Sequence, residues 1–452
     1  MKKKFSGLIN NKINKFNKIL EKIPSDKSCS IRALIFASVC IGKSEIKNLL
    51  ESEDVLDCVH ALKTLGVKIV KTNNGIYEVY GNGLSSFKTD KKIKIWLGNS
   101  GTLSRILSGI LATQPGGKYH LYGDKSMNRR DMSRIITPLE KIGAFFYPKG
   151  KKTLPLTIEG TNLPLAQKHI ENLGSAQVKS SLLASFLSCQ GISTIHEPIP
   201  SRDHTEILLK RIGADIKIKK LKKGNLISLK GQKNLHAFKY KVGNDPSSSA
   251  YLIALALLTP KSKITIHNCL LNKKRSGFYK ILKEQAGANI KIINQKKSAE
   301  NGELVGSIVA KNSFLRPFNC SKAVIPSLID ELPILFVIAA LTKGTSKFTH
   351  IYELTKKESN RIEEMRKVLI QAGIKCKTSK NSMIIYGKNK LKIKNKSIVV
   401  NTQGDHRICM SSAILSLVTG IRAKIKNFET VNTSFPGFIT IIKNLGGKIV
   451  IK

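Results

Sequence analysis

Two carboxylates, Asp330 and Glu331, stand inside the apolar run IPSLIDELPILFVIAAL (325–341) of a chain with 30 Asp and Glu against 77 Lys and Arg. Partial burial makes a carboxylate more basic and nearby cations keep it ionised, so such a group can take a proton from a hydroxyl. The same pair can instead cap a helix whose core begins at Leu332, with Pro333 in its first turn. Downstream, KKESNRIEEMRK carries Lys357, Glu358 and Arg361, and the spacing of Glu358 and Arg361 also fits a plain helical ion pair. GDHR presents Arg407 behind Asp405 and His406; a His beside an Asp invites a catalytic-triad reading, but no nucleophile motif accompanies it.

The N-terminal half holds cations beside small polar residues. In DKSCSIR, Lys27 and Ser28 precede Arg32, and one helical turn brings Ser28 and Arg32 to the same face. LGNSGTLSR places Gly98 and Gly101 around Asn99, Ser100 and Thr102, a short turn into a helix. MNRRDMSR holds three arginines, Arg130 among them; GSAQVKS offers Ser175, Ala176 and Gln177, and SRDHTE offers Arg202. Taken alone, a Lys and an Arg at a helix start are more often surface charge, and such glycines more often just make a turn.

These segments recur in a fixed setting. Six stretches open with small polar residues and continue as apolar helices, starting at 28, 100, 175, 247, 327 and 405, so successive starts differ by 72, 75, 72, 80 and 78 residues. Each is followed by a second helix-like stretch ending in Gly (66, 143, 213, 287, 373, 446) and running into a β-alternating segment. The spacing predicts an α/β fold of six βαβα-type units, with the first helix of each buried because it is apolar nearly all round. Helix N-termini present free N–H groups and partial positive charge, so their convergence would build an anion site.

Composition sets the limits. A chain of 452 residues with 41% apolar and 24% charged residues reads as two or three globular domains. No apolar run reaches the roughly 18 to 20 residues of a membrane span, and the lysine-rich start lacks the apolar stretch of a secretory signal, so a cytoplasmic setting is expected. The eight cysteines form no CxxC pair and read as reduced structural thiols, with neither disulfides nor a metal site expected. The net charge of +47 fits a nucleic-acid binder or a solvated lysine-rich surface. The densest tracts, IKIKKLKK (216–223) and KNKLKIKNK (388–396), alternate Lys with apolar residues as outward-facing strands do and interleave no aromatics, which favours the surface reading and a field suited to anionic substrates.

In order and spacing, DKSCSIRA, GNSGT, SAQVKS, DELP, KKESNR and GDHR resemble the enolpyruvyl transferases, most of all the branch acting on shikimate 3-phosphate, over residues from about 20 to the C-terminus. The resemblance implies a two-domain inside-out α/β barrel with three units per domain. It places residues 26–244 in a first domain and 1–25 plus 245–452 in a second, with the active site in the cleft between them. It implies enolpyruvyl transfer from phosphoenolpyruvate to the 5-hydroxyl of shikimate 3-phosphate, with no cofactor or metal, a monomer, and no membrane or nucleic-acid partner. By register Asp330, Glu358, Lys357 and Lys27 are the catalytic set. Lys27, Ser28, Arg32, Ser175, Ala176, Gln177, Arg202, Asp330 and Lys357 meet shikimate 3-phosphate, and Lys27, Gly101, Arg130, Gln177, Arg361 and Arg407 meet phosphoenolpyruvate. Glu331 is assigned a structural bond or a place in the surroundings of a ligand.

Gly101 resembles the glyphosate-sensitive members, and Ala176, Lys179 and Thr433 resemble the family's second sequence class. Two departures stand out. Asp131 follows Arg130 where Pro is usual and could pair with Arg129 or blunt Arg130; Asn360 replaces the usual Asp before Arg361. The alternative acceptor, UDP-N-acetylglucosamine, belongs to a branch that carries a reactive Cys in a first-domain loop, and none lies around MNRRDMSR.

Overall fold

The computed structural model describes residues 4–89, 92–389 and 397–452. The chain divides into two units. The first comprises Ser25–Gly243 and Lys297–Glu303; the second comprises the described part of residues 1–24, Asn244–Lys296, and the described part of 304–452. The short segment Lys297–Glu303 lies in the first unit, whereas the register had put it with the second.

In the first unit the helices are α1 (Lys27–Ser38), α2 (Glu53–Thr64), α3 (Gly101–Leu111), α4 (Ser133–Ile142), α5 (Ala176–Phe186) and α6 (His204–Arg211). In the second they are α7 (Pro246–Leu258), α8 (Gly277–Glu284), α9 (Leu332–Ala340), α10 (Arg361–Gln371), α11 (His406–Thr419) and α12 (Phe438–Asn444). The odd-numbered helices are the apolar ones, and they pack against one another inside their own unit. In α7 every residue but Leu258 is buried, and in α9 all are. Each buried Leu, Ile or Phe contributes about 1.5 to 3 kcal/mol, which fixes these helices more firmly than their weak intrinsic propensity could.

Among the described residues, six four-stranded sheets accompany the six helix pairs. In one, Ile93–Trp96 runs parallel to Lys118–Tyr122 on the far side of α3, and Leu156–Glu159 then pairs antiparallel with both Lys118–Tyr122 and Phe145–Tyr147. The same βαβ crossover recurs around α5, α9 and α11. Two sheets take their parallel edge strand from elsewhere in the unit: Lys239–Lys241 pairs with Ile41–Lys47, and Asn17–Leu20 pairs with Lys263–Leu270. Gly7–Ile9 completes another sheet between Arg422–Lys426 and Ile449–Ile451. The N-terminal strands thus fill two gaps in the C-terminal unit, although most of the first unit separates them in sequence.

All six expected glycines, at 66, 143, 213, 287, 373 and 446, have positive φ and follow α2, α4, α6, α8, α10 and α12. A left-handed residue there ends the helix and turns the chain into the next strand. The tract at 216–223 forms strand Asp215–Lys220, exposed from Lys217 onward, while most of the second lysine tract (residues 390–396) lies outside the described residues.

Candidate active site

The first unit gathers the N-termini of α1, α3 and α5. Asp26 caps α1 by accepting from the Cys29 N–H at 2.7 Å, which leaves Lys27 and Ser28 in the first turn. Lys27 Nζ lies 2.8 Å from Asp54 Oδ2 at the start of α2. Arg32 is buried and its fork is fully directed: Nε donates to Thr205 Oγ1 at 2.8 Å, one Nη to Ser180 Oγ at 3.0 Å, and the other to Ser28 Oγ and the Ser28 carbonyl. Burial lowers the Arg32 pKa, with Cys29, Asp26 and Glu206 acting in the opposite direction. Arg202, half-buried just before α6, adds positive charge near Arg32.

A second cluster joins α3 to α5. Ser100 and Ser175 cap these helices through their side chains, so Gly101 and Ala176 become the first helical residues. Gln177 accepts from Arg105 at 2.5 Å and donates to Thr102 Oγ1 at 3.2 Å. Arg130 donates to Asn99 Oδ1 and, at 3.4 Å, to Ser126 Oγ. A Cβ on Gly101 would sit 2.8 Å from an Arg105 Nη and 3.0 Å from an Arg130 Nη, so the glycine leaves room where two guanidinium groups meet. Arg105 was not assigned a role from the sequence. Its signal was present, since it stands four residues after Gly101 on the helix face that carries the cluster.

Asp131 Oδ1 accepts from the Ser133 N–H at 2.8 Å at the entrance to α4, and the Asp131 carbonyl accepts from an Arg105 Nη at 3.3 Å. Burial opposes its charge, but the Ser133 bonds, Arg134 and Arg105 lower its pKa overall. Lys179 is wholly buried, with Nζ 2.7 Å from Glu206 and 2.9 Å from Glu197. Burial disfavours its charge, yet the two glutamates raise its pKa. Lys179 is thus an internal cation rather than a surface one.

The second unit gathers the N-termini of α7, α9, α10 and α11. The apolar run at 325–341 is not one helix: Ile325–Ser327 forms a single 3-10 turn and α9 begins only at Leu332, with Pro333 in its first turn. Asp330 and Glu331 therefore stand at the head of α9 and not within it. Glu331 occupies the capping position but its side chain does not cap; it accepts instead from Ser247 Oγ on α7. Asp330, with its side chain 17% exposed, has Oδ1 3.2 Å from Lys357 Nζ and 3.7 Å from an Arg361 Nη.

Arg361 is almost completely buried. Asp405 takes its Nε at 2.8 Å and an Nη at 3.2 Å, and Glu358 takes an Nη at 2.5 Å, so the helical ion pair exists as part of a larger network. Burial alone would lower the Arg361 pKa; Asp405, then Glu358, raise it. Asp405 also caps α11 by accepting from the Arg407 N–H at 2.9 Å. Arg407 donates to the Asp330 carbonyl at 2.7 Å, and Asp330 leads the effects that raise its pKa against burial. Asn360 caps α10 by accepting from the Glu363 N–H at 3.3 Å, a task Asn and Asp perform about equally. Thr433 ends a 3-10 turn and donates to the Thr430 carbonyl at 2.8 Å. Tyr251 on α7 went unnoticed in the sequence because it lies in an apolar helix. Its buried hydroxyl, near Arg407 and Arg361, is pushed up to about 12 by burial.

All eight cysteines are free, seven buried and Cys376 half-buried. Cys29, His204 and Glu303 can bring ligand atoms within 4.8 Å of one another, but His204 Nδ1 and Glu303 Oε1 are already hydrogen-bonded at 2.6 Å. Among the described residues no helix is long and apolar enough to cross a membrane.

Six helix-led α/β units, with arginines, lysines and paired acids at the helix heads, define a transferase of the enolpyruvyl type. The model of the EPSP synthase (3-phosphoshikimate 1-carboxyvinyltransferase) family matches residues 10–442, and the chain belongs to that family. A relative named 3-phosphoshikimate 1-carboxyvinyltransferase from Acidiphilium cryptum is 36% identical, with 94% of each chain covered. One of the same name from Desulforamulus reducens is 36% identical, covering 94% of this chain and 96% of that one. The solved EPSP synthase of Acinetobacter baumannii is 33% identical with a TM-score of 0.84, covering 99% of this chain and all of that one. The fold is accordingly the two-domain inside-out α/β barrel.

Proposed function

We propose that this chain transfers the enolpyruvyl group of phosphoenolpyruvate to the 5-hydroxyl of shikimate 3-phosphate, giving 5-enolpyruvylshikimate 3-phosphate and inorganic phosphate on the route to chorismate. The observation that carries the reading is the Asp330–Lys357 contact of 3.2 Å beside Arg361 and Arg407, because it joins a base, a proton carrier and two anion ligands. Lys27, Ser28, Arg32, Ser175, Ala176, Gln177 and Arg202 receive shikimate 3-phosphate; Lys27, Gly101, Gln177, Arg130, Arg361 and Arg407 receive phosphoenolpyruvate.

The chemistry follows from charge. Both substrates are polyanions, and the cations offset their repulsion while aligning the 5-hydroxyl with C2 of the enolpyruvate. Protonation of C3 gives C2 oxocarbenium character, the hydroxyl oxygen bonds to C2 as Asp330 takes its proton, and a tetrahedral adduct results. Loss of the C3 proton then re-forms the double bond as the C2–O bond to phosphate breaks. Acid and base must exchange roles between the two steps, and Glu358 and Asp330 with Lys357 between them supply that exchange. The protein works as a cytoplasmic monomer without nucleic acid, and glyphosate competes at the phosphoenolpyruvate site beside Gly101.

Purified protein should release phosphate only when both substrates are present, with a product mass equal to their sum less phosphoric acid, and none with UDP-N-acetylglucosamine as acceptor. A well-folded preparation that releases no phosphate, or that prefers the nucleotide sugar, would overturn the assignment.

A further inference from the structure

A line of alternating charge leads away from Arg407 into the second unit. Glu331, 1% exposed, has Oε1 3.9 Å from an Arg407 Nη. The same Oε1 accepts from Ser247 Oγ, and Ser247 Oγ in turn accepts from an Arg275 Nη at 3.0 Å. That Arg275 nitrogen also donates to Asp245 Oδ1 at 2.9 Å, and Asp245 caps α7 by accepting from the Ser247 N–H at 2.9 Å. The order is Asp245, Arg275, Ser247, Glu331, Arg407, all within one unit.

Two features separate this arrangement from ordinary packing. The other carboxylate oxygen of Glu331, Oε2, is buried and has no hydrogen-bond partner among the described residues. A buried, half-satisfied carboxylate is costly unless a cation lies nearby, and Arg407 is the cation it faces. Arg407, for its part, donates one hydrogen bond to the Asp330 carbonyl, which by itself leaves rotation about that bond unrestrained. Glu331 supplies a second fixed charge on the guanidinium, and Ser247 with Arg275 holds Glu331 still.

We infer that Glu331 is a positioning residue: without touching substrate, it sets the guanidinium of Arg407 for the anionic end of phosphoenolpyruvate, with Ser247 and Arg275 as its support. The inference rests on the proposed role of Arg407. It extends the structural bond expected of Glu331 to control over one substrate and not the other. A cation held by an opposing charge presents its remaining donors in a fixed direction, so loss of the holding charge weakens the anion contact while the residue making that contact is still present.

The test is steady-state kinetics with each substrate varied separately, on wild type, Glu331→Gln, Glu331→Asp, Ser247→Ala and Arg407→Lys, with melting temperatures alongside. Arg407→Lys should raise KM for phosphoenolpyruvate at least tenfold. Glu331→Gln should raise the same KM about tenfold with KM for shikimate 3-phosphate within twofold; Glu331→Asp should recover part of the loss, and Ser247→Ala should show a smaller rise of the same kind. If Glu331→Gln does not fold, Ser247→Ala and Glu331→Asp carry the comparison. Equal rises in both KM values that track a fall in melting temperature would overturn the inference by showing a structural role alone. A normal phosphoenolpyruvate KM in Glu331→Gln, with Arg407→Lys impaired, would overturn it while leaving Arg407 assigned. A normal KM in Arg407→Lys would overturn both, whereas an inactive wild type would refute the function itself.

Discussion

Replacing Asp405 by Asn tests the network around Arg361 most sharply. The amide keeps the side-chain size and still caps α11, since Asn serves as an N-cap about as well as Asp. What it loses is charge at a residue that holds Arg361 through two bonds, of 2.8 and 3.2 Å, and it turns an NH2 donor toward a guanidinium that can only donate. Removing one partner of a buried ion pair costs about 3 to 5 kcal/mol. Glu358 at 2.5 Å and Asp330 at 3.7 Å still offset part of the Arg361 charge, which places the effect near the lower end, about 3 kcal/mol. For a unit of this size each kcal/mol moves the midpoint by about 2 to 4 °C, so the second unit should melt roughly 6 to 12 °C lower. Asp405→Ala should cost about 1 kcal/mol more through the lost cap. The control is Glu363→Gln, whose pair with Arg366 is more than a third exposed on both sides, and which should change stability by no more than about 0.5 kcal/mol. Urea and thermal unfolding of the three variants supply the comparison. An Asp405→Asn protein as stable as Glu363→Gln would refute the claim that a buried Arg361–Asp405 pair organises this half of the site.

Lys179→Met should destabilise the first unit by about 3 to 5 kcal/mol by leaving Glu197 and Glu206 buried without their cation, and adding Glu197→Gln and Glu206→Gln should restore much of it in the same unfolding assay. Gly101→Ala should cost under about 1 kcal/mol of stability, because only the flexible ends of Arg105 and Arg130 must move, yet raise KM for phosphoenolpyruvate and weaken glyphosate inhibition together. Burial pushes the thiols of Cys40, Cys189 and Cys320 up to about 12, so at pH 8 roughly one in ten thousand of each is thiolate. A thiol-colour assay at that pH should therefore find at most Cys376 reacting quickly in native protein and all eight in denaturant; three or more fast thiols in the native state would contradict the burial.

The periodic features of the fold were legible because local chemistry fixes them. Gly66 and its five counterparts are followed by strands because a left-handed residue both stops a helix and redirects the chain. α7 and α9 are buried because they have no polar face to offer water. The strand Gly7–Ile9 was beyond local reading, since its partners Arg422–Lys426 and Ile449–Ile451 lie at the other end of the chain. So was the place of Lys297–Glu303, where Glu303 meets His204 and Asn301 donates to the Lys241 carbonyl at 2.7 Å. At the site, residue types and register named most of the side chains now seen in contact, but not how their charges are shared. Asp405 stands two residues before Arg407 in GDHR, yet its carboxylate chiefly holds Arg361. Arg105 is legible from its place four residues after Gly101, whereas Tyr251 sits in an apolar run and only packing brings it near Arg361 and Arg407. Asp131 and Asn360, which look like departures, each bind a backbone N–H at a helix start, and the Asp131 carbonyl also accepts from Arg105.

If Asp330 is the base of the proposed enolpyruvyl transfer and not merely the residue before a helix, turnover must depend on its carboxylate. Phosphate release from saturating shikimate 3-phosphate and phosphoenolpyruvate is compared between wild type and Asp330→Asn of equal melting temperature. The variant should lose at least a hundredfold in kcat, since general base catalysis typically supplies about 10² to 10⁴ in rate. A folded Asp330→Asn protein releasing phosphate at close to the wild-type rate would contradict that role.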